Sequence, residues 1–576
     1  MRIAVGQGHG GDVELVDAND PDATPERLHR EALGAAILAN PDARWVWADT
    51  ADWYPALLAA GVRVERCVDL RLVGAILAPR ESAAVAPAWL QAPRSAPERE
   101  HSLTLFDADS ADFSTGTASS VPSPPTAVAV AAEDRRQRAI MQRSDALGLT
   151  LLAAAESTGA LIAAEMHAAG MPWSASEHQR MLADVLGDRP GPGRKPTRME
   201  SLAAEIRALL GAPTLNIDSQ VDLLRALRTA GIAVDSTAKW ELRDHRHPAI
   251  APLLMYKKLS RLYSANGWAW VDEWVHNGRF RPEYVVSGAA TGRWATSGGG
   301  ALQLPKQVRT ALVADPGWSL VIADAAQLEP RMLAGLSGDR ALADAARGTD
   351  LYQAFVDAGV VAKRDEAKVA LLGAMYGATT GDSARLLPRL RRAYPTALGF
   401  VDVAAATGER GGLVETRLGR RSPVPSARWF DIRAAGAAVE ATPDQERRAR
   451  RAAADWGRFT RNFVVQGTAA EWALTWMALL RQRLELLVDP DVTAETASGP
   501  CFVGRPHLVF FLHDEVIVHT PTAQAAAVVD ALRACASDAA KLLFGSFPID
   551  VPLNIEVVRR YGELVSESDA PADDVR

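Results

Sequence analysis

Two carboxylate-bearing stretches, with one cationic stretch between them, carry the chemistry this sequence can offer. The first is Trp318-Ser-Leu-Val-Ile-Ala-Asp324-Ala-Ala-Gln327-Leu-Glu329-Pro-Arg331, an apolar strand that delivers Asp324 at its end and then turns into a helix. The second is His507-Leu-Val-Phe-Phe-Leu-His513-Asp514-Glu515-Val-Ile-Val-His519, two apolar runs about a short acidic turn, the pattern of a hairpin. Between them Arg364, Lys368, Leu372 and Tyr376 recur four apart, which places them on one side of a helix. Carboxylates on rigid strands can share divalent cations, and a row of cations can meet a polyphosphate. Together they are equipment for phosphoryl transfer. Each piece alone has an ordinary alternative: acids are common in turns, and cations on a helix usually face solvent.

The elements that must position these groups belong to a chain of 576 residues, long enough for about four domains. A hydrophobic content of 48% with 23% charged residues is that of a soluble globular protein. No apolar run looks long enough to span a membrane, and Met1-Arg-Ile-Ala-Val breaks at once into a Gly-rich turn, so no secretory start is expected. Cys67, Cys501 and Cys535 form no Cys-x-x-Cys, which offers no zinc site and fits a reducing cytoplasm. The net charge of −7 argues weakly against a nucleic-acid binder, but a local basic cleft can coexist with acidic tails.

The order and spacing of these stretches resemble the three polymerase motifs of the bacterial family A DNA polymerases, the DNA polymerase I type. Asp324 to Arg331 would be the first motif, Arg364 to Gly377 the second, and His513-Asp514-Glu515 the third. Two further stretches agree. Thr291-Gly292-Arg293 with Leu302-Gln303 and Pro305 is similar to one family segment, and Arg458…Asn462…Gln466-Gly-Thr-Ala-Ala-Glu471 to another. The resemblance covers roughly residues 150 to 560.

It implies a multidomain α/β and α+β chain: an RNase H-like exonuclease-type domain, then a right-hand polymerase of thumb, palm and fingers with an antiparallel palm sheet. The expected boundaries are 1–146 for the exonuclease-like domain, 147–250 for the thumb, 251–340 and 420–576 for the palm, and 341–419 for the fingers. The family's flap-nuclease domain is expected to be absent. The implied activity is template-dependent addition of dNTPs to a primer in gap filling or repair, by a monomer in the cytoplasm at the nucleoid, with no membrane partner. Asp324 and Asp514 would hold two Mg²⁺ ions, with Glu515 and Lys368 as further catalytic groups. Arg364, Lys368, Leu372, Tyr376, Gln327, Glu329 and His513 would meet the nucleotide, Glu329 acting as a steric gate against a ribose 2′-hydroxyl. Arg293, Arg458, Asn462 and Gln466 would contact the DNA minor groove and template backbone, where acceptors are nearly blind to sequence. Arg194 and Lys195, in a Gly/Pro loop, would grip duplex phosphates or lie on a solvated loop.

The chain departs from the family pattern in places. Ala325-Ala326 replaces Tyr-Ser after the first motif aspartate, and Leu372 stands where an aromatic is usual, which loses a stacking face toward the nucleotide. In the N-terminal part, Asp134 is the one carboxylate that matches an exonuclease motif securely. Asp12-Val-Glu14 has a suitable spacing but follows a Gly-rich turn. The expectation is a retained fold with vestigial nuclease chemistry, the alternative being a site repaired through Asp49 or Asp52. Residues 92 to about 132 read as a flexible insertion, and 566–576 as a frayed acidic end. The rival readings are a scaffold derived from a polymerase, a single-subunit RNA polymerase, and a polymerase with working proofreading.

Overall fold

The structure, a computed structural model, describes residues 1–80, 86–91, 123–144, 146–348, 350–377, 381–488 and 496–562. The acidic end at 566–576 and most of the insertion lie outside these residues. From Ala127 to Arg143 the chain is helix, so the irregular stretch does not extend to 132.

The chain forms two compact units. The first comprises Met1–Gly170, Glu283–Gly298 and Pro316–Val557. Its N-terminal sheet runs in the order Glu26–Leu28, Val13–Asp17, Arg2–Gln7, Arg44–Trp47, Cys67–Asp69. The first three strands are antiparallel and the last two run parallel to Arg2–Gln7. Apolar side chains such as Trp45, Val46 and Trp47 are buried on both faces. The opening strand carries no carboxylate, and Gly6 on it is required: a Cβ there would lie 2.0 Å from the backbone nitrogen of Ala127. The Gly-rich stretch is the turn to the next strand, with Gly10 at φ 71°.

Helix Ala146–Ala169 corrects one expectation, because it is long and apolar enough to cross a membrane by length and composition. Its surroundings make it a core helix. It packs on Cys67–Asp69, on the helices Thr50–Ala59 and Leu70–Leu77, and on the 43-residue helix Pro443–Glu485. Neighbours on all sides explain why apolar residues encircle it. Its two acids are buried and paired: Glu165 accepts from Arg481 Nη2 at 2.6 Å and Arg63 Nη2 at 2.9 Å, and Glu156 pairs with Arg420.

A second sheet in this unit runs in the order His507–Leu512, Glu515–Pro521, Trp318–Ala325, Leu553–Val558. The two pairings about Glu515–Pro521 are antiparallel. Helices between residues 328 and 485 form a further core around Leu333, Phe355, Leu371, Leu398 and Phe463.

The second unit comprises Met171–Pro282, Gly299–Asp315 and the chain from Val558. Helices Ala175–Leu186, Thr197–Leu209, Gln220–Thr229 and Ile250–Asn266 accompany a small sheet of Met171–Pro172, Arg279–Phe280 and Val275–His276. Trp173, His178, Trp270 and Phe280 cluster at its centre. Helix 146–169, expected to open a thumb, thus lies in the first unit, and residues 251–282, expected in a palm, lie in the second.

Candidate active site

Register brings the two motif aspartates together. Asp324 stands opposite Glu515, and Val516, Ile517 and Val518 continue the pairing against Ala323, Ile322 and Val321. The apolar residues bury this sheet interior, so a one-residue slip would expose the whole row. The hairpin closes through His513, which takes a left-handed φ of 58°, and the Asp514 amide donates to Leu512 O at 2.7 Å. The Ala325 amide then donates to the Asp514 carbonyl at 3.0 Å, locking the strand end to the turn. Asp514 is pushed up to about 7, first by burial and then by the negative charge of Asp324. Two carboxylates held this close in a partly desolvated place favour a counter-cation or a shared proton.

Glu329 lies on the helix that follows, Leu328–Ser337. Its Oε1 pairs with Arg293 and its Oε2 accepts the Tyr376 hydroxyl. Burial and the Glu329 charge push the Tyr376 phenol well above its usual range, and Gln466 hydrogen-bonds the same group. Arg293 sits on a turn where Gly292 adopts φ 84°, and a Cβ at Gly292 would meet the Arg420 guanidinium at 2.8 Å. Next to that turn, the Tyr284 hydroxyl donates to Phe511 O at 3.1 Å, and Trp294 packs edge-on against Phe511 with centroids 5.1 Å apart. These contacts fix Arg293 relative to the carboxylate hairpin. Burial and the Arg293 charge both lower the basicity of His513.

Helix Arg364–Tyr376 ends at Gly377 in the left-handed conformation, φ 72°. Ala367, Ala370, Leu371, Ala374 and Met375 anchor its inner side. On the outer side Arg364 and Lys368 are exposed, while Leu372 and Tyr376 are half-buried. Arg364 Nε donates to Asp350 Oδ2 at 2.7 Å and its guanidinium lies 5.6 Å from the Tyr352 ring centroid. Lys368 makes no ion pair among the described residues.

Other expected residues meet different fates. Gln327, left-handed at φ 48°, spends its amide oxygen on the Leu351 amide at 3.2 Å and on Arg331. It is therefore a brace of the turn rather than an open nucleotide contact. Arg458 pairs with Asp455 and lies along Gly377. Asn462 is buried, and its Oδ1 has no hydrogen-bond partner among the described residues. In the second unit Lys195 is consumed: its ammonium is held by Asp218 and donates to the Tyr256 hydroxyl at 2.6 Å. Arg194 beside it is exposed, with no ion pair among the described residues.

Sequence reasoning missed several supporting groups. Arg331 is fully buried, with its guanidinium donating to the carbonyls of Ala326 at 2.7 Å, Gly348 at 2.8 Å and Asp550 at 3.0 Å. It ties the chain after Asp324 to two distant loops. Arg461 donates to Ala374 O at 2.8 Å and so caps the end of the 364–376 helix. Glu471, which the motif did contain, accepts from Thr416 and from the Leu418 amide at 2.9 Å, and burial raises its carboxyl to about 7. Asp350 was readable as a helix N-cap, since its Oδ1 accepts from the Tyr352 and Gln353 amides.

Comparison with known proteins agrees with this arrangement. The chain is 28% identical over 405 residues to the thermostable DNA polymerase I of Thermus filiformis, covering 62% of this chain and 43% of that protein. It is 29% identical over 381 residues to DNA polymerase I of Chloroflexus aurantiacus, covering 61% and 36%. The chain thus spans less than half the length of these relatives. Among solved structures, the polymerase domain of Pol1 from M. smegmatis, in complex with DNA primer-template and dNTP, matches with a TM-score of 0.68. That match has 18% identity and covers 97% of this chain and 96% of the other, so the two share a fold. The family described as DNA polymerase family A matches residues 194–562, and the chain belongs to that family.

Proposed function

We propose that the chain is a DNA-directed DNA polymerase that extends a primer 3′-hydroxyl with dNTPs on a template. One observation carries this reading. Asp324 and Asp514 meet at one end of a rigid sheet, each raising the cost of the other's charge, within a family whose members are dependent on divalent metals. The Pol1 domain that shares the fold is in complex with DNA primer-template and dNTP, which supports the same partners here.

The donor set fits Mg²⁺. Two carboxylates leave positions for substrate phosphates and water, as this ion prefers. Asp324 and Asp514 would hold it, and when bound it supplies charge neutralisation for the attacking hydroxyl and the leaving oxygens. Lys368 meets the triphosphate as a point charge, and Arg364 does so as a bidentate fork once it leaves Asp350. Glu329, held by Arg293 and Tyr376, closes the space that a 2′-hydroxyl would need. Leu372 offers the nucleotide an apolar contact without a stacking face. Arg293, Arg458 and Gln466 face the primer-template, and Arg194 adds a phosphate contact from its loop.

The N-terminal sheet is proposed to have kept its fold and lost nuclease chemistry, because its carboxylates are committed elsewhere. Asp49 accepts from the Ala51 amide at 3.0 Å and from Arg71 at 2.9 Å. Asp69 accepts from Thr50 and Leu72, and Glu14 from Arg27. Asp134 is bound by Arg2 and Arg138. The test is a primed template with Mg²⁺ and either dNTPs or rNTPs. Template-dependent dNTP extension with weak rNTP use is expected. DNA binding without extension would favour the scaffold reading.

A further inference from the structure

The N-terminal sheet bears a cavity of about 200 Å³, lined on one side by Arg2, Arg44, Asp134, Gln137 and Arg138. Three guanidiniums thus share one wall with a single carboxylate. Asp134 is 2% exposed and already takes both Arg2, with Nε at 3.1 Å, and Arg138, with Nε at 2.9 Å. Arg44 is half-buried and its side chain has no hydrogen bond or ion pair among the described residues. Burial and the neighbouring Arg2 and Arg66 lower its proton affinity. A desolvated cation left without a counter-charge is costly unless an anion completes it. The rest of the wall adds a second requirement. The Gln137 amide nitrogen donates to Leu70 O at 3.0 Å and Glu133 Oε1 at 2.8 Å, which fixes the amide orientation. Its Oε1 is then buried with no partner among the described residues. A ligand that suits the whole wall has two or more negative oxygens and one O–H.

We propose that this cavity binds a phosphate group in its monohydrogen form, with Arg44 as the principal contact and Gln137 Oε1 accepting its O–H. The volume is that of about six to seven waters, enough for a phosphate with its hydration and below the range of pockets that enclose larger ligands. Sulfate matches the charge and shape but carries no donor at neutral pH, so the same wall discriminates between the two. The site is independent of the polymerase reading, since none of its residues is among those assigned to nucleotidyl transfer.

The test is isothermal titration of the full chain with inorganic phosphate in EDTA, in a Lys368→Ala background so that phosphate binding at the polymerase site is suppressed. Sodium sulfate and a deoxynucleoside monophosphate are titrated in parallel. Expected is saturable binding of one phosphate per chain, weakened about tenfold or more by Arg44→Met, as for loss of one charge-assisted contact. Sulfate should bind several-fold more weakly, and Gln137→Glu should abolish binding of either ion. Binding of the monophosphate as tightly as phosphate would identify the natural ligand as a strand or nucleotide end. Binding of phosphate alone would identify it as the free ion, and either upholds the site. Absence of saturable binding, or full affinity in a folded Arg44→Met variant, overturns the proposal. Equal affinity for sulfate overturns the role of Gln137. Thermal melting of Arg44→Met checks folding, and the variant is expected to melt no lower because it removes an unpaired buried charge.

Discussion

The Tyr376 hydroxyl donates to Oε2 of Glu329, joining the end of one helix to the first turn of another 47 residues away in sequence. Arg293 takes the other oxygen of the same carboxylate. The gate against a 2′-hydroxyl is therefore held from two sides. Removing one holder should loosen it without disturbing the Asp324–Asp514 pair. Tyr376→Phe is expected to raise ribonucleotide incorporation relative to deoxynucleotide about 3- to 10-fold, the worth of one hydrogen bond to a charged group with the second still in place. Single-nucleotide incorporation of matched dNTP and rNTP measures the ratio. An unchanged ratio would show that Glu329 needs no help from Tyr376.

Leu372 is half-buried on the outer side of the same helix, between exposed Lys368 and Tyr376. An aromatic ring there adds a stacking surface where the leucine offers only apolar contact. Leu372→Phe is expected to lower the KM for dNTP about 3- to 10-fold, with kcat little changed, since an aromatic pair contributes about 0.5–1.5 kcal/mol beyond area. Steady-state extension with one dNTP reads this out. An increase in KM would mean that the ring clashes rather than stacks.

Much of the site was legible in local pattern. The apolar runs around Asp324 and Asp514, the four-residue recurrence from Arg364 to Tyr376 and the Gly377 stop are all short-range signals, and each formed the expected element. What stayed hidden were partners that only the fold supplies. Lys195 looks like a free cation in its loop, but Asp218 and Tyr256 reach it from 23 and 61 residues away. Helix 146–169 has the composition of a membrane span because elements distant in sequence pack all round it. Gln327 appears beside the nucleotide motif, yet the left-handed turn directs its amide to Arg331 and Leu351.

That difference between Arg194 and Lys195 gives a paired prediction. Arg194→Ala should leave thermal stability unchanged and reduce the salt slope of DNA binding by about one phosphate contact. Lys195→Ala should instead lower the stability of its unit, by less than about 1 kcal/mol because the pair with Asp218 is well exposed. Fluorescence anisotropy across a salt series, with melts of both variants, separates the two. A salt-slope change from Lys195→Ala equal to that from Arg194→Ala would show that Lys195 leaves Asp218 to meet DNA.

His178 makes the stability of the second unit depend on pH. It is fully buried, hydrogen-bonds to Asn266 O at 2.9 Å through Nε2, and is pushed down to about 4 by burial. Between pH 6.5 and 4 the unfolded chain binds this proton more readily than the folded one. Its contribution is thus complete above pH 6.5 and is lost as pH falls toward 4, to a limit of about 3 kcal/mol. Urea unfolding followed by tryptophan fluorescence at pH 5 and 7.5 should show the loss, since Trp173 lies 5.7 Å from the imidazole centroid. His178→Gln should flatten it. An equal pH slope in the variant would assign the effect to other groups.

The proposed chemistry depends most directly on the paired aspartates. Single-turnover incorporation of one dNTP should be measured with Mg²⁺ in the wild type, Asp324→Asn and Asp514→Asn, with primer-template affinity measured for all three. Both variants are expected to bind DNA normally and to incorporate at least about 10³-fold more slowly, the consequence of losing several kcal/mol of charge stabilisation. Incorporation within about tenfold of wild type by either folded variant would contradict a reaction centred on Asp324 and Asp514.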